Sequence, residues 1–300
     1  PGNVFLANNM WDNASAISNE GIEFEAQYDV IRKKNWNWSV GMNLSHNKNM
    51  LRKTYNGEDL NDKVLGRPVY GIYTFKDEGI VQKEEDIPMY RNASGKLIPL
   101  YFQSINNPLR VGGRKIKDQN YDGVIDDKDL YYAGSTLPAV YGGLNSHLAW
   151  KGLSLDVLFS YTIGRKVMNM YKNSAFTFTK DFGVIMNYFH ASDFWTPENR
   201  DAKYPSLEFA DKDYIGQFDG NVDSNIENIS FLRLKQLVIG YQLPKNWLKG
   251  SFIKDVSLYL SGENLFLITN YSGVDPEVIN PYTGKDDGTQ YPLNRKVTLG

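Results

Sequence analysis

The sequence predicts an all-β protein, namely about seven strands of a transmembrane antiparallel β-barrel wall with long extracellular loops. Three observations carry this. Apolar and polar residues alternate with period two in segment after segment, so each strand has one apolar and one polar face. Connections alternate short and long, the asymmetry of outer-membrane barrels, whereas structureless loops longer than about 15 residues are uncommon in compact soluble domains. No apolar run approaches the roughly 20 residues of a membrane helix, but a barrel strand spans with about 9–11.

The first strand is "GIEFEAQYDVI", with Ile22, Phe24, Ala26, Tyr28 and Val30 alternating with Glu23, Glu25, Gln27 and Asp29. Across the link "RKKN" comes "WNWSVGMNLSHN", where Trp36, Trp38, Val40, Met42 and Leu44 oppose Asn37, Ser39, Gly41, Asn43 and Ser45. Two such runs separated by a short link predict an antiparallel hairpin. Residues 48–139 then lose the pattern and are read as one long extracellular loop. Strands resume at "VYGGLNSHLAW", turn tightly at Lys151 and Gly152, and return as "LSLDVLFSYTI" with Leu153, Leu155, Val157, Phe159 and Tyr161 on one face.

A second long loop is predicted over residues 164–228. In the next strand, "SFLRLKQLVIGYQL", Leu232 and Leu234 fit one face while Leu237, Ile239 and Tyr241 fit the other. A bulge near Gln236 reconciles them, because one extra residue flips the alternation. "PKNWLKGSF" leads to "KDVSLYLSGENLF", and after a third irregular stretch "RKVTLG" ends the chain. Trp36, Trp38, Trp150 and Trp247 lie at or near the short-turn ends, where a membrane interface favours amphipathic rings. An odd strand count cannot close a bacterial single-chain barrel, so the expectation is one arc of a larger wall.

Composition sets the outer limits. A formal charge of -2 over 300 residues gives no reason to expect nucleic acid. The absence of cysteine excludes disulfides and thiolate metal sites. Aromatics are abundant, at 14% with 20 Tyr, yet mean hydropathy is -0.47. The chain opens on Pro1 rather than Met, which suggests a piece of a longer polypeptide.

"FLRLKQLVIGYQLP", "VSLYLSGENLFLITNYSGVDPEV" and "YPLNRKVTLG" resemble the carboxy-terminal signature of the SusC/RagA family of TonB-dependent outer-membrane transporters. "NEGIEFEAQYDVIRKKNWNWSVGMNLSHNKN", "GRPVYGIYTFKDEGIVQ", the Asp/Asn-rich stretch from Asp118 and "FWTPENRDAKYPSL" are similar to upstream segments of that family, in family order. The resemblance implies that residues 1–300 are the last part of one barrel of about 22 strands. The plug and the TonB-contacting box would lie upstream. It further implies import of a large nutrient, glycan or peptide, across the cell outer membrane, powered through TonB. A SusD-like surface lipoprotein would act as a lid.

"DQNYDGVIDDKDL" fits a calcium-loop pattern. Asp118, Asn120 and Asp122 take its first, third and fifth positions, Gly123 the sharp turn, and Val124 the carbonyl position. Asp126 is ninth, and Asp129 stands twelfth where Glu is usual, with a shorter reach for bidentate coordination. Calcium requires hard oxygen donors, and this set supplies them. The same composition also suits a turn that needs no ion. The Pro and Gly residues in "NNPLRVGGRKIK" argue against the paired helices of a calcium sensor, so an ion here would staple a loop.

Tyr188, Phe194 and Trp195, in "FTFTKDFGVIMNYFHASDFWTPEN", are candidates for substrate or lid contact, against the alternative that they pack the loop on itself. His46 and His147 are read as polar-face, lumen-lining residues, and His190 as isolated. Nucleophile-elbow, zinc-protease, phosphate-loop and dinucleotide motifs do not occur. The carboxylate pairs Glu84–Glu85 and Asp126–Asp127 are weak grounds for a glycosidase. The protein is therefore expected not to be an enzyme. The competing reading is a soluble calcium-dependent carbohydrate-binding module.

Overall fold

A computed structural model describes residues 15–59, 63–170, 190–210, 221–250 and 252–300. In chain order, β1 (Ala16–Lys33) and β2 (Trp36–Lys53) form the first hairpin. Eight short strands follow: β3 (Gly71–Thr74), β4 (Asp77–Ile80), β5 (Met89–Arg91), β6 (Leu97–Pro99), β7 (Tyr101–Phe102), β8 (Arg114–Ile116), β9 (Val124–Ile125) and β10 (Tyr131–Ser135). Then come the long β11 (Val140–Trp150), β12 (Leu153–Asn169) and β13 (Ile226–Gln242). After β14 (Ser257–Glu263) the chain ends with β15 (Leu267–Thr269), β16 (Lys285–Asp286) and β17 (Lys296–Leu299).

The principal sheet has nine strands, of which β15 and β16 lie off the main path. The remaining seven run in the order β1-β2-β11-β12-β13-β14-β17, each antiparallel to its neighbours. Neighbours in sequence are neighbours in space, as in an up-and-down barrel wall. The Lys151–Gly152 turn has φ of 48° and 90°, the two positive values that a two-residue hairpin matching strand twist requires.

Register fixes the two faces. Phe24 pairs Leu44, Ala26 pairs Met42, and Tyr28 pairs Val40. Met42 continues to Leu144, Leu144 to Phe159, Phe159 to Leu234, while Ile239 meets Leu260 and Leu260 meets Leu299. The bulge in β13 falls at Lys235: Leu158 pairs Gln236 but Phe159 pairs Leu234, so Leu232, Leu234, Leu237 and Ile239 share one face. A second bulge, unforeseen from sequence, skips Val30 and brings Ile31 opposite Trp38.

No second sheet covers this apolar face: apart from the wall, the described strands form only two-stranded ribbons. Phe24 is 54% exposed and Tyr28 69%, and Ile22, Met42, Leu144, Trp150, Leu153, Ile239, Leu258 and Leu260 are exposed as well. A continuous apolar surface of this extent marks a membrane or protein contact. Trp36 pairs directly with Trp150 beside the short turns, and Trp247 lies in another short connection, consistent with an interfacial belt.

The buried core lies elsewhere. Val81, Ile87, Leu100, Phe102, Leu109, Ile116, Ile125 and Val222 form one cluster, all outside the wall strands. The stretch that lacks periodicity in the sequence is thus a folded cap, and its strands are two to five residues long, too short to display a period. The wall also extends further than the sequence suggested. β2 continues to Lys53 and β12 to Asn169, past the points where the loops were expected to begin at 48 and 164. Lys48, Arg52, Lys53, Arg165 and Lys166 bring charge to those extensions, and Leu51, Val167 and Met168 are buried there.

Candidate functional site

Three surfaces could carry function: the inward face of the wall, the cap, and the rim where they meet. The inward face is polar. Glu25 pairs Asn43, Asn43 pairs Gly143, and His147 lies between Ser39 and Asp156. His147 Nδ1 and Asp156 Oδ1 are 2.5 Å apart, and both side chains are half exposed. His147 is therefore on the polar face, as expected. His46 is not: it pairs Ile22, on the row of Leu44 and Met42, and its Nδ1 meets the Ala139 carbonyl at 2.6 Å. The parity of β2 places every even-numbered residue from Trp36 to His46 on the outward side, which corrects the polar-face assignment.

In the cap, Arg114 and Asp77 form an ion pair with both side chains over nine-tenths buried, and the Ser224 hydroxyl donates to Asp77 at 2.6 Å. Asp223 accepts from Lys76 Nζ (2.6 Å), the Tyr131 hydroxyl (2.6 Å) and the Asp77 N–H (2.9 Å). Burial pushes the Asp223 carboxyl up, but these donors outweigh it, leaving its pKa below the ordinary carboxylate value. For Tyr131, burial first and Asp223 second push the phenol far up.

The two expected loop aromatics inside the described residues are both buried. Phe194 packs on Tyr204 at 5.7 Å between ring centroids, and Trp195 donates from Nε1 to Gln82 Oε1 at 3.0 Å. The Trp195 ring lies over Gly112, whose φ is 83°; a Cβ there would come within 2.6 Å of the ring. These aromatics join the second loop to the first, and in this conformation their faces do not reach solvent. Tyr188 lies outside the described residues.

The loop from Asp118 to Asp129 closes on its own backbone. Asp118 accepts from the N–H groups of Tyr121 (2.7 Å) and Gly123 (2.8 Å), while Asp129 accepts from those of Gln119 (2.7 Å) and Asp126 (3.0 Å). Asp122 accepts from Val124 N–H and from the Asn120 amide. Lys128 Nζ lies 3.7 Å from both Asp122 and Asp126, as an internal cation. Burial first, and Asp118 beside it, raise the Asp129 carboxyl, while burial and Asp118 push the Tyr90 phenol up to about 12. By type the donor set suits calcium, which favours hard oxygen ligands; among the described residues no three Asp, Glu or His side chains group together.

The rim site gave no motif in the sequence. Asn47, Tyr141, Thr162 and Phe231 lie side by side on the inward face of β2, β11, β12 and β13, and segments 136–138 and 277–281 close over them. They line an open pocket of about 390 Å³, within the usual size range of ligand pockets. Beneath it Val167, Ile229, Tyr271 and Ile279 form a second buried cluster, so the loop after β14 folds in against the wall. Arg233 pairs Asp275 (2.5 Å) and Glu277, and Lys235 pairs Glu277 at 2.7 Å. Among the described residues, Arg165 donates to the carbonyls of Thr136 and Pro276, both at 3.2 Å.

No family model matches the chain. It is 29% identical, over 98% of its length, to TonB-dependent receptor P26 of Formosa agariphila. It is 25% identical, over 97%, to the TonB-dependent receptor SusC of Bacteroides thetaiotaomicron. The chain spans 30% and 27% of those proteins, respectively. Among solved structures, the RagAB peptide transporter superposes with a TM-score of 0.66 at 22% identity, over 96% of this chain and 29% of that one. Its closed-closed state gives the same TM-score at 21% identity. Fold and sequence therefore agree: the chain is similar along nearly its whole length to TonB-dependent receptors, and it has the fold of the matching arc of the transporter barrel.

Proposed function

We propose that this chain, a SusC/RagA-like portion of barrel wall, serves in TonB-dependent import of a large nutrient across a Gram-negative outer membrane. The observation that carries the reading is the inverted distribution of its apolar residues. The wall turns a largely exposed apolar face outward and a polar face inward, while the larger buried cluster sits in the loops. Such a wall is stable only with hydrocarbon against it, and its polar side then lines a lumen. The relatives are transporters and receptors rather than enzymes, in keeping with a non-enzymatic role.

In this reading the folded cap and the rim face outside the cell, where a SusD-like lipoprotein would close over them, and energy would arrive through TonB from segments outside this chain. The cargo is a glycan or a peptide. A calcium ion in the Asp118–Asp129 loop is a separate proposal, supported by its all-oxygen donors. The ion would compete with Lys128 and stabilise the cap without touching cargo.

The test is to delete the gene encoding the complete transporter and restore it in a TonB-competent and a TonB-deficient strain. Labelled oligosaccharides and peptides are then offered. Uptake of one class, restored only where TonB works and accompanied by recovery of the protein in the outer-membrane fraction, is the expected result. Recovery in the aqueous periplasm would overturn the proposal.

A further inference from the structure

The charges around the rim cavity do not cancel. Two carboxylates, Asp275 and Glu277, face three cations, Arg233, Lys235 and Arg165. Arg233 and Lys235 account for both carboxylates, and of the charged residues only Glu277 and Arg165 line the cavity itself. Arg165 has no carboxylate partner among the described residues; it donates to two backbone carbonyls, through Nε and Nη1, and lies within electrostatic range of the Tyr271 phenol, whose hydroxyl donates to Asp286. A guanidinium carries five N–H donors, so three remain. An arginine held on the cavity wall by neutral acceptors, with spare donors and one uncancelled charge, is arranged for a single anionic group from outside.

The other lining residues limit what can carry that group. Leu137, Pro138, Phe231, Ile279 and Pro281 make an apolar wall, and Asn47, Tyr141 and Thr162 supply neutral polar atoms. Asn47 and Tyr141 already bond one another at 2.6 Å, and Thr162 is buried, so little hydrogen-bonding capacity is left for a ring of sugar hydroxyls. Phe231 is the only aromatic ring besides Tyr141 in the lining, a sparse platform for stacking a sugar. An apolar side chain next to a carboxylate matches both halves of the lining.

We propose that the rim cavity binds the α-carboxylate end of a short peptide whose last residue is apolar, with Arg165 pairing the carboxylate and Phe231, Ile279 and Leu137 receiving the side chain. The proposal rests on the import reading and sharpens it, by assigning this chain a cargo subsite at the extracellular mouth of the wall. Glu277 opposes it, because its charge lies on the same cavity and is only shared with Arg233 and Lys235 behind it.

The experiment uses the complete transporter, purified in detergent, and titration calorimetry with three probes: N-acetyl-trileucine as the free acid, the same peptide as its amide, and trigalacturonic acid. The free acid binds at least about tenfold tighter than the amide, the scale of one hydrogen-bonded charge. Arg165→Gln removes that preference while leaving amide binding in place. Glu277→Gln widens it, and a gain in affinity cannot come from misfolding. Equal binding of acid and amide, a preference untouched by both substitutions, tighter binding of trigalacturonate, or no binding of any probe would each overturn the proposal. A transporter that binds none of these but still imports in a TonB-dependent way would leave the import reading standing. One found outside the outer membrane would fail that reading first.

Discussion

Val157 and Leu158 are adjacent aliphatic residues on β12, and the two faces of the wall predict opposite responses to the same substitution. Val157 pairs Ser146 and Leu237 on the outward side, whereas Leu158 pairs Asn145 and Gln236 on the inward side. Val157 lies four residues beyond Leu153 at the short turn, about 13 Å along the strand at ~3.3 Å per residue. With a tilt of about 40°, that is roughly 10 Å above the interface, close to the middle of an apolar band ~25 Å tall. Arginine on the lipid face near the midplane costs about 2–4 kcal/mol. Val157→Arg should therefore shift the folding equilibrium by about 30- to 700-fold, since each 1.4 kcal/mol is a factor of ten. Leu158→Arg points its charge toward water and should stay within ~1 kcal/mol. The assay is urea unfolding of the complete transporter in lipid vesicles, followed by tryptophan fluorescence. A cost for Leu158→Arg equal to or above that for Val157→Arg would show that the faces are wrongly assigned.

Three further outcomes follow from the cap. Asp77→Ala strands the buried Arg114 guanidinium and should destabilise the cap by about 3–5 kcal/mol, read as faster limited proteolysis between residues 71 and 135 while the wall stays protected. Asp223 titrates below its unfolded value, so its contribution is complete above pH ~3.9 and is lost as pH falls through the lower folded pKa. Hydrogen exchange at the Asp77 amide, which Asp223 accepts, should accelerate only in that acid window, and Asp223→Asn should flatten the dependence. Lys128→Met frees Asp122 and Asp126, so millimolar calcium should slow exchange of the loop amides more in that variant than in the parent. No slowing in either protein would refute an ion at the loop.

How legible each part was depends on how local its cause is. The wall could be read because outward residues such as Phe24, Met42 and Leu155 recur every second position, and a strand needs no more than that to show its faces. The bulge in β13 could be read for the same reason, since the parity of Leu234 and Leu237 conflicts within one strand. The cap could not. Val81, Leu109 and Ile125 meet across 44 residues of chain, and the cap strands, two to five residues long, hold at most two and a half cycles of alternation, too few to stand out as a period. His46 was misplaced by its chemical character, although counting from Trp36 assigns its side. The loop from Asp118 was recognisable as a sharp turn, but the commitment of its carboxylates to the backbone N–H groups of Gln119, Tyr121, Gly123 and Asp126 is invisible in a residue pattern.

The rim was least legible for a physical reason that bears on its role. On β12 the register shift between Thr162 and Arg165 passes through Gly164, at φ 69°, so Arg165 pairs Ile229 rather than the residue simple alternation would give it. Without that shift the guanidinium would be turned outward, beside Ile163, toward the lipid side. With it, Arg165 reaches the carbonyls of Thr136 and Pro276 and joins the inward row of Thr162 and Phe231. A β-bulge that re-aims one charged side chain into a cavity is a common device beside binding sites. Here it places an unpaired cation where the polar wall meets the folded loops, which in the proposed import role is the point at which cargo would first meet this part of the barrel.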